Sequence, residues 1–252
     1  MVLSRLRSIS EKIMKPAANF AIKLGITPNV ATLLGFMVSV IAAGLIFVYP
    51  VWPWILMVTA ILFFVAGYFD ALDGAIARNS HQITKFGGFL DSVLDRYSDA
   101  FIIGCIMLVG YPYSVLCVPW IGLIALVGSL LVSYTRARAE AAGVEKFSVG
   151  FFERSERMIL IMVVLFLQGN PFIQYTTNPL YNYTGIGMII LAVCTHLTVI
   201  QRILHARKAL GEIEEPSEMQ AEETVVEENH TPSERLVSSA RGMTPRTEKA
   251  IT

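Results

Sequence analysis

Apolar residues dominate the chain in three long blocks with no Asp, Glu, Lys or Arg: Leu24–Phe69, Ala100–Thr135 and Met158–Gln201. Each block is long enough for two membrane-crossing helices of about 20 residues joined by a turn. Turn residues sit near the middle of each, at Tyr49–Pro53, Gly110–Ser114 and Gln168–Pro171 onward to Tyr183. The pattern predicts an all-α polytopic membrane protein with six transmembrane helices, at 24–49, 54–79, 86–110, 116–141, 153–169 and 184–208. Before them, Val2, Leu6, Ile9 and Ile13 share one helical face beside Arg5, Arg7, Lys12 and Lys15. That arrangement predicts an interfacial amphipathic helix over 1–22, ended or kinked at Pro16. No long apolar core or small-residue cleavage site follows these charges, which argues against a signal peptide.

Composition agrees, with 54% of the 252 residues hydrophobic and 16% charged, too apolar for an ordinary soluble domain. Lys and Arg fall at the termini and around 78–96 and 136–157, never in the three turns, which carry Trp and Tyr. By the positive-inside rule both termini face the cytoplasm, with the 78–96 segment on the same side. The formal net charge of zero hides a basic membrane part, 23–210, and a Glu-rich segment that follows Gly211. The composition of 211–252 predicts a disordered acidic cytoplasmic tail. Cys105, Cys117 and Cys194 have no paired spacing and are expected as buried apolar residues. His196 is alone on an apolar helix and is expected to pack rather than ligate. The sequons at Asn182 and Asn229 fall beside the membrane and on the cytoplasmic side, so neither is expected to be glycosylated.

Chemistry enters at the edge of the first block. Asp70-Ala-Leu-Asp73-Gly74-Ala-Ile-Ala77-Arg78 is followed, after eight residues, by Gly87-Gly-Phe-Leu-Asp91-Ser-Val-Leu-Asp95. Residues three and four apart share a helical face, so Asp70 and Asp73 align, as do Gly87, Asp91 and Asp95. Two carboxylates about 4 Å apart repel by about 4 kcal/mol at an effective dielectric of 20. Four at such spacings call for a cation, and hard oxygen ligands beside a phosphate favour Mg²⁺ or Mn²⁺. Gly74, Ala77 and Gly87 clear space for a ligand, and Arg78 suits phosphate oxygens. Capping or salt-bridging aspartates at a membrane surface are the structural alternative.

The spacing from Asp70 to Asp95 matches, at every defined position, the signature of the CDP-alcohol phosphatidyltransferases, and the chain resembles that family over about 1–208. The resemblance implies transfer of a phosphatidyl-type group from a CDP-linked lipid to an alcohol, with release of CMP. It makes Asp70, Asp73 and Asp91 metal ligands, and Asp95 the general base and a contact of a second ion. It also implies that Gly74 and Arg78 touch nucleotide and phosphate, with Thr84 a further candidate for the diphosphate. Pro28-Asn29-Val-Ala-Thr32 resembles an element near the cytidine pocket, so Asn29 and Thr32 join the donor set. Thr27 as helix cap, with Pro28 in the first turn, is the structural alternative there. Family members are commonly dimers, which makes a homodimer an expectation.

Arg136, Arg138, Arg154, Arg157 and Arg202 all fall at predicted cytoplasmic helix ends. So many guanidinium groups suit a phosphorylated acceptor, although membrane anchoring and pairing with Glu140, Glu153 and Glu156 are alternatives. Ser133-Tyr-Thr-Arg136-Ala-Arg-Ala-Glu140 and Glu153-Arg-Ser-Glu-Arg157 resemble elements of the phosphatidylinositol-phosphate synthase branch, whose archaeal members use CDP-archaeol and inositol 1-phosphate. The expected acceptor-phosphate ligands are Arg136, Arg157 and Arg202, with Ser133. The expected partners are therefore CDP-archaeol or CDP-diacylglycerol, inositol 1-phosphate and membrane lipids, with no nucleic acid. Glycerol 3-phosphate is the alternative acceptor. An ion-coupled transporter also uses intramembrane carboxylates, but would spread them through both halves of the chain. A silent scaffold acting through the acidic tail completes the alternatives.

Overall fold

The computed structural model describes residues 14–110, 119–144, 149–176 and 183–229. Among them every regular element is helical: α1 (14–23), then α2 (Pro28–Leu45), α3 (Ile55–Asn79), α4 (Lys85–Gly110), α5 (Pro119–Ala141), α6 (Arg154–Gly169), α7 (Pro171–Thr176) and α8 (Tyr183–Asn229). Among the described residues four segments are long and apolar enough to cross a membrane: Pro28–Val48, Ile55–Asn79, Pro119–Ala141 and Tyr183–Gly211. Two of the six expected spans fall short on these criteria. Helix α4 carries Lys85, Asp91, Asp95, Arg96 and Asp99 between its start and residue 99, and α6 has only 16 residues.

Helices α2 and α3 form an antiparallel hairpin through a 3₁₀ turn at Ile46–Val48 and the tryptophan-bearing segment at 49–54, where a turn was expected. Helix α4 packs on α2, α6 on α3, and α5 and α6 both meet α8. Leu56, Phe63, Ile102, Ile103, Leu165 and Leu191 form the buried centre. Leu33, Ile41, Ile61, Phe64, Val193 and Ile200 face outward, an exposure that suits lipid rather than water.

Residues 1–13, most of the expected interfacial helix, lie outside the described residues. Within the described residues, 14–23 are helical, Pro16 included. Ala18 and Ala21 bury against Ala31, Leu72, Ala75 and Ile76. At the other end α8 runs on to Asn229, so the boundary expected at 210 falls inside a helix; residues 230–252 lie outside the described set.

Candidate active site

Helix α3 ends at Asn79, two residues after Ala77. His81 takes a left-handed backbone conformation with φ 56°. The amide of Gln82 then donates to the carbonyl of Ala77 at 3.0 Å, and that of Ser80 to Ile76 at 2.8 Å, which closes the helix in a Schellman turn. Thr84 starts α4, its hydroxyl accepting the Gly87 N–H at 2.9 Å as an N-cap does. Thr27, by contrast, makes no side-chain cap bond.

The aspartate-bearing helices α3 and α4 each pack on α2, and their carboxylates converge. Oxygen atoms of Asp70, Asp91 and Asp95 lie within 4.8 Å of one another. Asp73 is set apart from this group. Its Oδ2 accepts a 2.6 Å hydrogen bond from Thr32 Oγ1, and it is only 8% exposed. Asp91 Oδ1 is buried with no hydrogen-bond partner. A buried anionic oxygen in that condition is unfavourable and fits a hard divalent cation shared by the three carboxylates.

Two cavities flank the carboxylates. One, of about 320 Å³, is lined by Asn29, Thr32, Asp73, Gly74, Ala77, Arg78, Thr84, Gly87 and Asp91, which collects the expected donor residues except Asp70. A Cβ at Gly87 would stand 3.0 Å from Thr84 Oγ1 and 3.1 Å from Asn29 Oδ1, and one at Gly74 would stand 3.3 Å from Arg78 Nη1. Gly87→Ala is therefore expected to displace Thr84 and Asn29 and raise the KM for CDP-lipid by up to about 10²-fold, the scale of a 1 Å misplacement. Steady-state kinetics with the lipid varied would check this, and an unchanged KM would show that the cavity does not hold the donor.

The second cavity, of about 170 Å³, is lined by Asp95, Arg96, Asp99, Ser133, Arg136, Glu153, Arg154, Arg157 and Arg202, among others. All four expected acceptor residues meet here, but in different states. Arg157 is buried and donates to Asp99 Oδ2 at 2.9 Å, the two side chains being 2% and 6% exposed. Arg202 donates through Nε to the Val149 carbonyl at 2.7 Å and through Nη1 to the Val132 carbonyl. Gly150 makes this approach possible: its φ is 136°, and a Cβ there would sit 3.1 Å from Arg202 Nε. Arg136 pairs with Glu140 at 3.0 Å on an exposed surface, a contact worth about 0–1 kcal/mol and easily exchanged.

Two residues outside the expected ligand sets stand at the centre of the site, Arg154 from the cytoplasmic arginine group and Asp99. Arg154 bridges Asp70 Oδ1 at 2.9 Å and Asp95 Oδ1 at 2.7 Å. Asp99 extends the four-residue stripe of Asp91 and Asp95 by one turn, the signal that would have found it. An apolar groove of about 380 Å³, lined by Phe64, Tyr68, Met158, Ile159 and Met162 among others, also includes Asp70 and Arg154 in its lining.

The model of the CDP-alcohol phosphatidyltransferase family matches residues 25–200. The chain is 35% identical over 210 residues to an archaetidylinositol phosphate synthase of Pyrococcus horikoshii, covering 83% of this chain and 98% of that one. It is 35% identical over 199 residues to a phosphatidylinositol phosphate synthase of Mycobacterium tuberculosis, covering 78% and 87%. A crystal structure of the Mycobacterium tuberculosis phosphatidylinositol phosphate synthase with CDP-diacylglycerol bound superposes with a TM-score of 0.65 at 32% identity, over 77% of this chain and 94% of that one. Another, in complex with manganese and citrate, has a TM-score of 0.65 at 34% identity, over 77% and 88%. This protein is an integral membrane enzyme of the CDP-alcohol phosphatidyltransferase family.

Proposed function

We propose that the protein transfers a phosphatidyl-type group from a CDP-linked lipid to inositol 1-phosphate, releasing CMP and forming a phosphorylated inositol lipid. The observation that carries this reading is the placement of Asp91 and Asp95. One turn apart on α4, they line different cavities, Asp91 the donor side and Asp95 the arginine-rich side. A group moving between the two passes the carboxylate cluster.

Asp70, Asp91 and Asp95 would hold Mg²⁺ or Mn²⁺, with Asp73 beside them and a second ion within the same set. Such ions neutralise charge on a diphosphate and favour departure of CMP. The chain's own groups do the rest. Gly74 and Gly87 clear room for the nucleotide, and Arg78 supplies a guanidinium to the diphosphate. The groove between α3 and α6 gives a lipid chain an apolar path that includes Asp70 in its lining. Asp95 removes the proton of the attacking hydroxyl, and the cluster of Arg136, Arg157 and Arg202 with Ser133 receives the acceptor phosphate. In the membrane this reading has six spans, counting α4 and α6, with both termini and the aspartates facing the cytoplasm, in a homodimer. The names of the relatives and the inositol-phosphate chemistry they state support this acceptor over glycerol 3-phosphate.

The test is CMP release by purified protein in detergent with CDP-lipid and Mg²⁺, offered inositol 1-phosphate, glycerol 3-phosphate, free inositol or serine. Release with inositol 1-phosphate alone is expected. Release with free inositol or serine would reduce the arginines to membrane anchors.

A further inference from the structure

Arg154 holds two of the three converging carboxylates at once. It is the first residue of α6, and its Nη1 and Nη2 reach Asp70 on α3 and Asp95 on α4 at 2.9 and 2.7 Å. Its Nε is buried with no partner. The guanidinium thus spends its fork on bridging two acidic helices, yet brings one positive charge to three carboxylates. A divalent cation brings two charges and takes six or more oxygens, so the two compete for the carboxylates of Asp70 and Asp95.

The same side chain also lines the arginine-rich cavity, where Arg96, Arg136, Arg157 and Arg202 already stand. The anions facing them there are Asp95, Asp99 and Glu153, and Arg202 lies 3.6 Å from Glu153 while Asp99 is taken by Arg157. A guanidinium released from Asp70 and Asp95 into this cavity adds to its positive charge, which a phosphate dianion would neutralise.

We propose that Arg154 is a resident counter-cation of the metal centre, displaced from Asp70 and Asp95 by the divalent ion and delivered to the adjoining cavity to complete its phosphate site. Metal and acceptor phosphate therefore strengthen each other's binding, and by linkage the factor is the same in both directions. The inference rests on the reading of the aspartates as a metal site and of this cavity as the acceptor's.

The experiment titrates metal-free, full-length protein in detergent with Mn²⁺, reading free Mn²⁺ by electron paramagnetic resonance, with and without inositol 1-phosphate. In the native protein the phosphate should tighten Mn²⁺ binding by a factor in the range of about 5 to 150 typical of coupled sites. Arg154→Gln, without the competitor, should bind Mn²⁺ more tightly than the native protein in the absence of phosphate, and the phosphate effect should vanish. Native or weaker Mn²⁺ affinity in Arg154→Gln, with the phosphate effect intact, would overturn the proposal. Should that variant not fold, Arg154→Lys takes its place, because a compact ammonium does not reproduce the two-pronged bridge. It should show tighter Mn²⁺ binding and weaker coupling than the native protein, and native values for both would be equally fatal. Asp91→Asn separates the two levels of argument. Full Mn²⁺ binding in that variant would remove the metal-site reading itself, whereas its loss alongside an unaltered Arg154→Gln removes only the role of Arg154.

Discussion

Asp95→Asn is expected to slow CMP release by about 10²- to 10⁴-fold, the range contributed by a positioned proton acceptor. The amide keeps the shape of the carboxylate but takes no proton from an attacking hydroxyl. Asp95 is well placed for that task because it alone of the three clustered carboxylates lines the arginine-rich cavity. CDP-lipid binding should largely survive, since the donor cavity is walled by Asp73 and Asp91 instead. The check is CMP release measured beside CDP-lipid binding on the same preparation. Native turnover would withdraw the assignment of Asp95 as base, and loss of lipid binding would relocate it to the donor side.

Asp99→Ala should destabilise the fold by about 3–5 kcal/mol, the usual consequence of removing one partner from a buried ion pair. Arg157 is left with its charge in a place where the side chain is 2% exposed and its Nε already lacks a partner. The double variant Asp99→Leu with Arg157→Met offers the decisive comparison, because replacing a buried pair with apolar groups is often neutral or stabilising. It should recover much of the lost stability while leaving the acceptor KM raised, since the phosphate site has lost a guanidinium. Unfolding midpoints in detergent and acceptor kinetics separate these effects. A restored KM would make the Arg157–Asp99 pair a packing feature with no part in acceptor binding.

The two pairs on α4 and α6 explain why the acceptor side was harder to read than the donor side. Donor residues lie within two short stretches, 28–32 and 70–95, whose internal spacing already places them on common helical faces. Gly74, Arg78 and Gly87 were therefore legible, and the structure gathers them in one cavity. Acceptor residues come from α5, α6 and α8, and their partners, Asp99 of α4 among them, are set by how the helices stack. Arg154 and Arg157 share a face of α6 by their spacing of three. Which arginine meets Asp70 and Asp95, and which meets Asp99, depends on the vertical register of α6 against α4. Arg202 spends its donors on the carbonyls of Val149 and Val132, 53 and 70 residues away, and no side-chain pattern announces a backbone partner. Thr84, expected beside the diphosphate, also has a local duty in capping α4.

By itself the sequence determined that the chain is helical and membrane-embedded, because long charge-free stretches leave the backbone no partner in lipid except its own helix. It also determined which aspartates share a face, because helical periodicity is a local property. The tertiary structure alone decided which carboxylates converge. Packing of both α3 and α4 on α2 lets Asp70 join Asp91 and Asp95, while Asp73 turns to Thr32. It also put Arg154 among them, since the nearest counter-charge to a buried anion is chosen by packing distance in space, to which separation along the chain is no guide.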